Sequence, residues 1–320
     1  MPKLTSLEIC AGAGGQALGL EQAGFKHIAA VENDHWACET LRQNRDNPEM
    51  PVDERWPVLE LDVHDLRGDD YYGIDLFAGG VPCPPFSVAG KQLGAEDERD
   101  LFPKALELVR GARPKAVMLE NVRGLSQPRF TTYRNAILKE LHEMGYATEW
   151  HLIKSSDYGV PQLRPRFILV ALMPSYAQDF SWPDPELTPP TVGETLYEEM
   201  ASLGWLGAES WANYANTIAP TLVGGSKKHG GPDVGPSRAR EAWRKLGVRG
   251  TSIAEFPPTS QDPLGHIPRL TVKMGQLLQG FPPEWEFMGG KTAAWRQVGN
   301  AFPPPVAKSF GRAIKAALQE

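Results

Sequence analysis

Cysteine is scarce in this chain of 320 residues, which contains three: Cys10, Cys38 and Cys83. So few cysteines exclude a disulfide framework, and none is paired in a Cys-x-x-Cys motif, so no structural metal site is expected. Long apolar runs are missing too, since none approaches the roughly 18 residues that span a membrane. The first nine residues lack the charged and then apolar pattern of a secretory signal. The sequence therefore predicts a cytoplasmic protein without a metal.

An excess of positive charge, which many nucleic-acid binders have, is also absent, because the net charge is -6. The charges are nevertheless separated along the chain. Residues 221–320 contain 14 Lys or Arg and 7 Asp or Glu, whereas residues 1–220 contain 19 and 32. A basic segment on an acidic body fits a protein whose DNA contacts are concentrated in one region, and it fits a solvated basic surface equally well.

The chain does contain an alternation of short apolar strands and helix-like segments before Met173. This alternation predicts an α/β fold, with a parallel sheet and helices on both of its faces. Proline, glycine and tryptophan then become frequent, and regular structure returns at Arg269. We expect a large domain at 1–173, a small loop-rich domain at 174–268 and a return to the large domain at 269–320. The predicted strands are Leu7–Ile9, Ile28–Val31, Val58–Leu61, Asp75–Ala78, Ala116–Leu119 and Phe167–Leu172, and the predicted helices include Gln16–Ala23, Leu101–Arg110, Tyr133–Met144 and Pro304–Leu318.

A glycine-rich loop, Glu8–Gly15, joins the first predicted strand to the first helix. Glycines let the backbone turn tightly and approach a ligand, and the following helix N-terminus can face a negative group. Glu32 ends the next strand, where an acid accepts hydrogen bonds from ribose hydroxyls. This pattern predicts a nucleoside cofactor. NAD, FAD and S-adenosylmethionine all fit, the incomplete Gly-x-Gly-x-x-Gly spacing disfavours a dinucleotide, and a glycine turn without a ligand is the alternative.

Cys83 lies in a second strand-to-loop junction, Gly79–Ser87, with a proline on each side. The prolines stiffen the loop, and open α/β sheets bind their ligands at the carboxyl ends of the strands. A structural cysteine lies more often within an apolar strand or helix. We therefore expect a nucleophile, whose thiol pKa of about 8.5 must be lowered by nearby cations. Arg164 and Arg166 are the candidates, although surface ion pairs would also explain them.

Another apolar strand, Ala116–Leu119, ends in Glu120, and the carboxyl group is expected at the same edge of the sheet as Cys83. A thiol and a carboxyl group that converge on one cleft indicate covalent attack assisted by a proton donor. A cap on the following turn is the simpler alternative for Glu120.

Together and in this order, the motifs resemble those of the DNA (cytosine-5) methyltransferase family, in its bacterial restriction-modification form, over nearly the whole chain. Pro-Cys, Glu-Asn-Val, Gln-x-Arg-x-Arg and Gly-Asn in succession are highly specific. The resemblance implies a Rossmann-like methyltransferase sheet that binds S-adenosylmethionine, with 174–268 as the target-recognition domain. The matching segments are Glu8–Gly15, Glu32–Asp34, Asp62-Val63, Gly79–Ser87, Glu120–Val122, Gln162–Arg166, Arg269–Trp285 and Gln297–Ala301.

The resemblance also implies roles for single residues. Cys83 would attack carbon 6 of a cytosine flipped out of duplex DNA, while Glu120 would bind the N3 and N4 edge of the base. Arg164 or Arg166 would bind O2, and the last helix would pack beside the glycine loop. The stretch 87–99 would close over the DNA. The residues implied in cofactor binding are Ala11, Gly12, Gly14, Gly15, Glu32, Asn33, Asp62, Val63, Pro82 and Asn300. The residues implied in DNA binding are Ser87, Arg99, Thr221, Leu222, Gly224, Lys227 and Lys228.

The chain departs from the family pattern at three places. Cys10 stands where the family usually has a Phe that packs on the adenine, and Pro84 stands where Gln often follows the cysteine. Lys273-Met274 replaces an Arg-Glu pair. These departures affect adenine stacking, one backbone or base contact and one salt bridge, and they leave the catalytic residues intact.

By the habit of the family we expect a monomer that methylates a short palindromic site in duplex DNA. Two rival functions stay open. A tRNA cytosine-5 methyltransferase of the same family would use the same catalytic residues, although Lys227, Lys228 and His229 in the loop-rich segment favour duplex DNA. An NAD- or flavin-dependent oxidoreductase with a redox cysteine would explain the glycine loop, Glu32 and Cys83, but not Glu-Asn-Val or the late Gly-Asn.

Overall fold

The computed structural model of the chain describes residues 3–48, 55–82, 100–185, 188–225 and 231–319. Within these ranges no helix combines the length and the apolar character that crossing a membrane requires. The strands are β1 Leu4–Ile9, β2 Phe25–Glu32, β3 Val58–Glu60, β4 Leu76–Gly80, β5 Ala116–Val122, β6 Ala147–Lys154 and β7 Pro165–Leu172. The helices are α1 Gly15–Ala23, α2 His35–Asp46, α3 Phe102–Ala112, α4 Thr131–Glu143, α5 Pro174–Ala177, α6 Val192–Ala201, α7 Ala208–Tyr214, α8 Ser237–Arg244, α9 Val272–Leu278, α10 Lys291–Asn300 and α11 Pro304–Gln319.

The strands form one seven-stranded sheet in the order β3-β2-β1-β4-β5-β7-β6. Strands β1 to β5 pair in parallel, which confirms the predicted Rossmann-like α/β class. The expectation of an all-parallel sheet is wrong for β7, which is antiparallel to both β5 and β6. A short connection joins β6 to β7 and allows antiparallel pairing, whereas two parallel neighbours would need a longer crossover connection.

Both faces of the sheet are covered. Leu7, Phe77 and Val117 belong to the apolar cluster that α3 and α4 cover, and their neighbours Leu76 and Met118 belong to a second cluster under α1 and α11. Because side chains of a strand alternate between faces and both faces are buried here, the strands read as continuous apolar runs. This is why most of them were visible in the sequence.

Helices α1 and α11 lie unusually close together at two glycines of α1. A Cβ at Gly15 would lie 2.0 Å from the carbonyl oxygen of Phe302, and a Cβ at Gly19 would lie 2.4 Å from both the Cβ of Ala307 and the carbonyl oxygen of Pro304. The last helix therefore packs directly beside the glycine loop, as the resemblance implied.

A smaller part of the molecule has its own core, which contains Val192, Trp205, Trp243 and Leu270. This core also takes Met274 of α9 and Trp295 of α10. By contrast, Tyr176, Phe180 and Trp182 pack against the cluster of the sheet. We therefore propose a first boundary between Trp182 and Val192 instead of at residue 174, and a second boundary after α10 instead of at residue 269.

The contact between α1 and α11 leads to a stability prediction. Gly19→Ala should lower the free energy of unfolding by about 1–3 kcal/mol, because the added methyl group overlaps Ala307 and Pro304, whereas an alanine in an open helical position would be stabilising. Urea unfolding measures the change. Gly265→Ala is the matched control, since a Cβ there has nothing within 4 Å, and an unchanged stability of Gly19→Ala would contradict the packing.

Candidate active site

A cavity of about 430 Å³ opens at the carboxyl ends of β1, β2, β4 and β5. It lies where the sheet changes direction, since the chain continues from β1 outward to β2 and β3 on one side and returns to β4 on the other. Open α/β sheets bind their ligands at such a switch point. The lining residues include Glu8, Cys10, Ala11, Gly12, Gln16, Glu32, Asn33, Val63, Pro82, Leu101, Glu120, Arg296, Asn300 and Phe302.

The glycine loop at the floor of this cavity is held by Glu32. The Glu32 carboxylate accepts the backbone N–H of Gly12 at 2.8 Å and the N–H groups of Asn33 and Asp34 at 2.9 and 2.8 Å. Gly12 has a φ of 54°, a backbone conformation that favours glycine. Cys10 also has a positive φ, of 50°. The acid at the end of β2 therefore fixes the turn that follows β1.

The predicted cofactor residues divide into two groups. Those that line the cavity are Ala11, Gly12, Glu32, Asn33, Val63, Pro82 and Asn300. The other three serve packing and capping instead: the Cα of Gly14 faces Leu41 and Trp285, Gly15 lies against the Phe302 carbonyl, and the Asp62 carboxylate accepts the N–H of His64. The cofactor contacts of these three residues stay predictions.

Glu8 is a cavity residue to which the sequence analysis gave no role. Its side chain is buried, and neither carboxyl oxygen forms a hydrogen bond with a described residue. Burial raises the pKa of Glu8 well above its ordinary range, and the negative charge of Glu32 adds to this. The backbone N–H of Ala17 lies close enough to offset the shift in part, but it does not form a hydrogen bond with the carboxyl group. A buried carboxyl group without a partner is costly, so a cation in the cavity would stabilise it.

Glu120 and Arg166 form an ion pair at the cavity. Glu120 near the end of β5 lies 2.5 Å through Oε1 from Nε of Arg166 on β7, and both side chains are almost fully buried. The two strands are antiparallel neighbours, with Val122 opposite Arg166. Burial lowers the pKa of Arg166, and Glu120 opposes that shift. The pair combines a carboxylate acceptor with a cation in one desolvated place.

Arg164 lies apart from this ion pair, although the sequence offered Arg164 and Arg166 as equal candidates for the same role. Its side chain is fully buried, and the guanidinium group donates to the carbonyl oxygens of Leu222, Gly299 and Ala301 at 3.0, 2.9 and 2.7 Å. Arg164 has a φ of 22° and precedes β7, so its direction does not follow the alternation of the strand. With its terminal nitrogens occupied, Arg164 is not available to a substrate.

The segment Thr221–Gly225 adjoins the rim of the cavity. The Leu222 side chain is buried in the core of the smaller part, its N–H donates to Gln162, and its predicted DNA contact stays a prediction. Gly224 is packed against Asn300, whose side-chain amide donates to the Gly225 carbonyl at 3.3 Å. Thr221 is half-buried. The remaining predicted contacts lie outside the described residues: Cys83, Ser87, Arg99, Lys227 and Lys228.

Comparison with known proteins adds to this geometry. A family model described as C-5 cytosine-specific DNA methylase matches residues 4–316. The Type II methyltransferase M.NaeI of Lentzea aerocolonigenes is 55% identical over 99% of this chain and 76% of its own. The Type II methyltransferase M.NgoMIV of Neisseria gonorrhoeae is 49% identical over 99% of both chains.

Solved structures give the fold alone. An E. coli prophage-encoded protein assigned as a DNA modification methyltransferase has a TM-score of 0.70 at 23% identity, covering 99% of this chain and 100% of that one. The Entamoeba histolytica methyltransferase EhMeth has a TM-score of 0.68 at 14% identity, covering 100% of both.

The buried position of Arg164 predicts a large effect on stability. Arg164→Met should reduce the free energy of unfolding by about 2–5 kcal/mol, because three buried carbonyl groups lose their donor. Thermal and urea unfolding would measure it. Arg312→Met, at an exposed position on α11, is the control and should change stability by at most about 0.5 kcal/mol. Equal stabilities of the two variants would refute the structural role.

Proposed function

The chain belongs to the C-5 cytosine-specific DNA methylase family, and we propose how this DNA (cytosine-5)-methyltransferase uses the site. The observation that carries the proposal is the ion pair of Glu120 with Arg166. Glu120 lines the same cavity as Pro82, the residue before Cys83. Gly80 of β4 pairs with Glu120 of β5, so the loop that bears Cys83 leaves the sheet beside Glu120. We assign the nucleophile to Cys83 and binding of the base to Glu120 and Arg166.

The reaction begins with a cytosine that is flipped out of the duplex, because carbon 6 is shielded within the stack. The Cys83 thiolate forms a bond to carbon 6, and the displaced electron pairs move through carbon 4 to N3, where a proton shared with Glu120 stabilises the charge. Arg166 binds O2 and favours the thiolate. Carbon 5, now electron-rich, takes the methyl group. It then loses its proton to water, and the bond between Cys83 and carbon 6 breaks, which restores the ring and the thiolate.

S-Adenosylmethionine, the general cofactor of such methyltransferases, would supply the electrophilic methyl group and would leave as the neutral thioether S-adenosylhomocysteine. The cavity fits it, because its volume lies within the range of small-molecule sites. Glu8, buried and unpartnered, suits the ammonium group of the amino acid part. Glu32 retains about one free lone pair for a ribose hydroxyl beside its three backbone contacts, and the apolar side chains of Leu61 and Val63 suit the adenine ring.

Cys10 lines the cavity where the family usually has Phe. Its side chain is smaller than that of Phe and leaves more room beside the adenine ring. Ala11, Gly12 and Asn33 supply backbone contacts, and Asn300 joins the cofactor side of the cavity to the segment Thr221–Gly225.

The DNA partner follows from the relatives, which are Type II methyltransferases. We propose that the chain acts as a monomer on a short palindromic duplex site, in the bacterial cytoplasm, within a restriction-modification system. The smaller part would read the site. Ser87, Arg99, Thr221, Lys227 and Lys228 stay predicted DNA contacts.

A covalent trapping experiment tests the reaction. Incubated with S-adenosylmethionine and a plasmid substituted with 5-fluorocytosine, the wild-type protein should form an adduct that survives denaturation, because fluorine at carbon 5 cannot leave as a proton does. Cys83→Ser should form none. Sequencing the trapped DNA identifies the site. If the wild type forms no adduct on a plasmid of varied sequence, the assignment of Cys83 and of DNA fails, and tRNA is the next substrate to test.

The role of Glu8 predicts a linked change in affinity and pH dependence. Wild type should bind S-adenosylhomocysteine more tightly as pH rises, because burial raises the pKa of Glu8 in the empty cavity and pairing with the ammonium group favours the charged carboxylate. Glu8→Gln should weaken binding about 10-fold at pH 8, equivalent to ~1.4 kcal/mol, and remove the pH dependence.

The matched control for this experiment is a ligand. 5′-Methylthioadenosine lacks the amino acid part, so calorimetry should give the same affinity for wild type and Glu8→Gln. An equal loss for both ligands would mean that Glu8 does not face the ammonium group.

A further inference from the structure

Three exposed arginines of the smaller part come from different segments of the chain: Arg238 on α8, Arg249 in the loop after α8, and Arg269 before α9. We propose that this set, the arginine surface, binds phosphates of the DNA duplex beside the flipped base. The proposal rests on the proposed function and adds the face on which the duplex lies.

Backbone contacts bring the three segments together. The N–H of Arg249 donates to the carbonyl of Pro268 at 2.8 Å, next to Arg269. Gly250 accepts the N–H of Val234 at 3.3 Å, and a Cβ at Gly250 would lie 3.4 Å from the Cα of Arg240 on α8. The three arginines therefore project from neighbouring segments of the smaller part.

Neighbouring acidic groups do not neutralise this surface. Asp233 pairs with Arg240 at 2.6 Å, and Glu241 pairs with Arg244. Glu255 pairs with Lys291. Among the residues that the structure describes, no carboxylate forms an ion pair with a member of the arginine surface, so its positive charges are free to meet a polyanion. Arg269 is oriented in addition by Ser252, at 3.2 Å.

The arginine surface is connected to the candidate active site. A Cβ at Gly235, just before α8, would lie 3.2 Å from Val223, and the neighbouring Gly224 and Gly225 contact Asn300 at the rim of the cavity. Trp295 of α10 also donates to the carbonyl of Asp233 at 2.8 Å. A duplex whose base enters the cavity therefore has its backbone within reach of this side of the molecule.

Guanidinium groups suit phosphate oxygens because they donate two parallel hydrogen bonds. Phosphate contacts are independent of sequence and release counterions, so each contact adds a defined increment to the salt dependence of binding. This increment distinguishes a phosphate contact from a contact with a base edge or from a structural role.

The test measures the Kd of wild type, Arg238→Gln, Arg249→Gln, Arg269→Gln and the triple variant between 50 and 300 mM salt, with S-adenosylhomocysteine present. The probes are a fluorescent 30-base-pair duplex of mixed sequence and a second duplex with the site found by covalent trapping. Each single exchange should reduce the slope of log Kd against log salt by about 0.9, and the triple variant by about 2.7. Arg312→Gln, exposed on α11, is the control and should keep the wild-type slope.

Binding of S-adenosylhomocysteine, which should be unchanged in all variants, establishes that they are folded. Wild-type slopes in the triple variant would overturn the proposal, and so would an unchanged slope with relaxed sequence preference, which indicates base readout. Methylation of plasmid by the wild type is measured in parallel. If the wild type methylates but the slopes do not move, the arginine surface is wrong and the proposed function stands; if the wild type does not methylate, the proposed function fails by itself.

Discussion

Arg164 places a buried guanidinium group between two stretches of chain that are far apart in sequence, because its terminal nitrogens donate to the carbonyls of Leu222 in one and of Gly299 and Ala301 in the other. Burying a charge of this kind costs several kcal/mol unless acceptors surround it. The positions of these carbonyl groups are therefore fixed with respect to the sheet. Asn300 lies between two of these acceptors and contacts Gly225. The rim of the cofactor cavity and the segment beside it thus depend on one side chain.

Much of the fold was predictable because both faces of the sheet are buried, so its strands are apolar throughout. Edge strand β6 was missed because most of its side chains are partly or fully exposed and its pattern is weak. The domain boundaries that we propose differ from the predicted ones for another reason. Trp182 and Trp295 are both largely apolar aromatic residues, yet Trp182 packs on the cluster of the sheet and Trp295 lies in the smaller core. The composition of the sequence does not show which of the two cores a tryptophan packs in.

The position of a site residue was predictable where a motif places it near the end of a strand, as for Glu32 and Glu120. It was less predictable where contacts with distant segments of the chain determine the environment of the side chain. Glu8 lies between Leu7 and Ile9 and looks like part of an apolar strand, but Glu32 and the cavity give it a different environment. Arg164 and Arg166 lie in one motif, and only the break in backbone conformation at Arg164 directs one to carbonyl groups and the other to Glu120. Gly14 and Gly15 serve close packing and lie outside the cavity lining.

The packing of α1 against α11 has a consequence for how the protein is made. Residues at the start of the chain find their partners almost 300 positions later, and such long-range contacts form slowly because the loop between them must close first. During synthesis, one face of the sheet is only partly covered until Phe302 to Leu318 have left the ribosome. An apolar surface that stays exposed until the end of synthesis makes the nascent chain prone to aggregation. Chaperone binding to the nascent chain would protect this face until synthesis is complete.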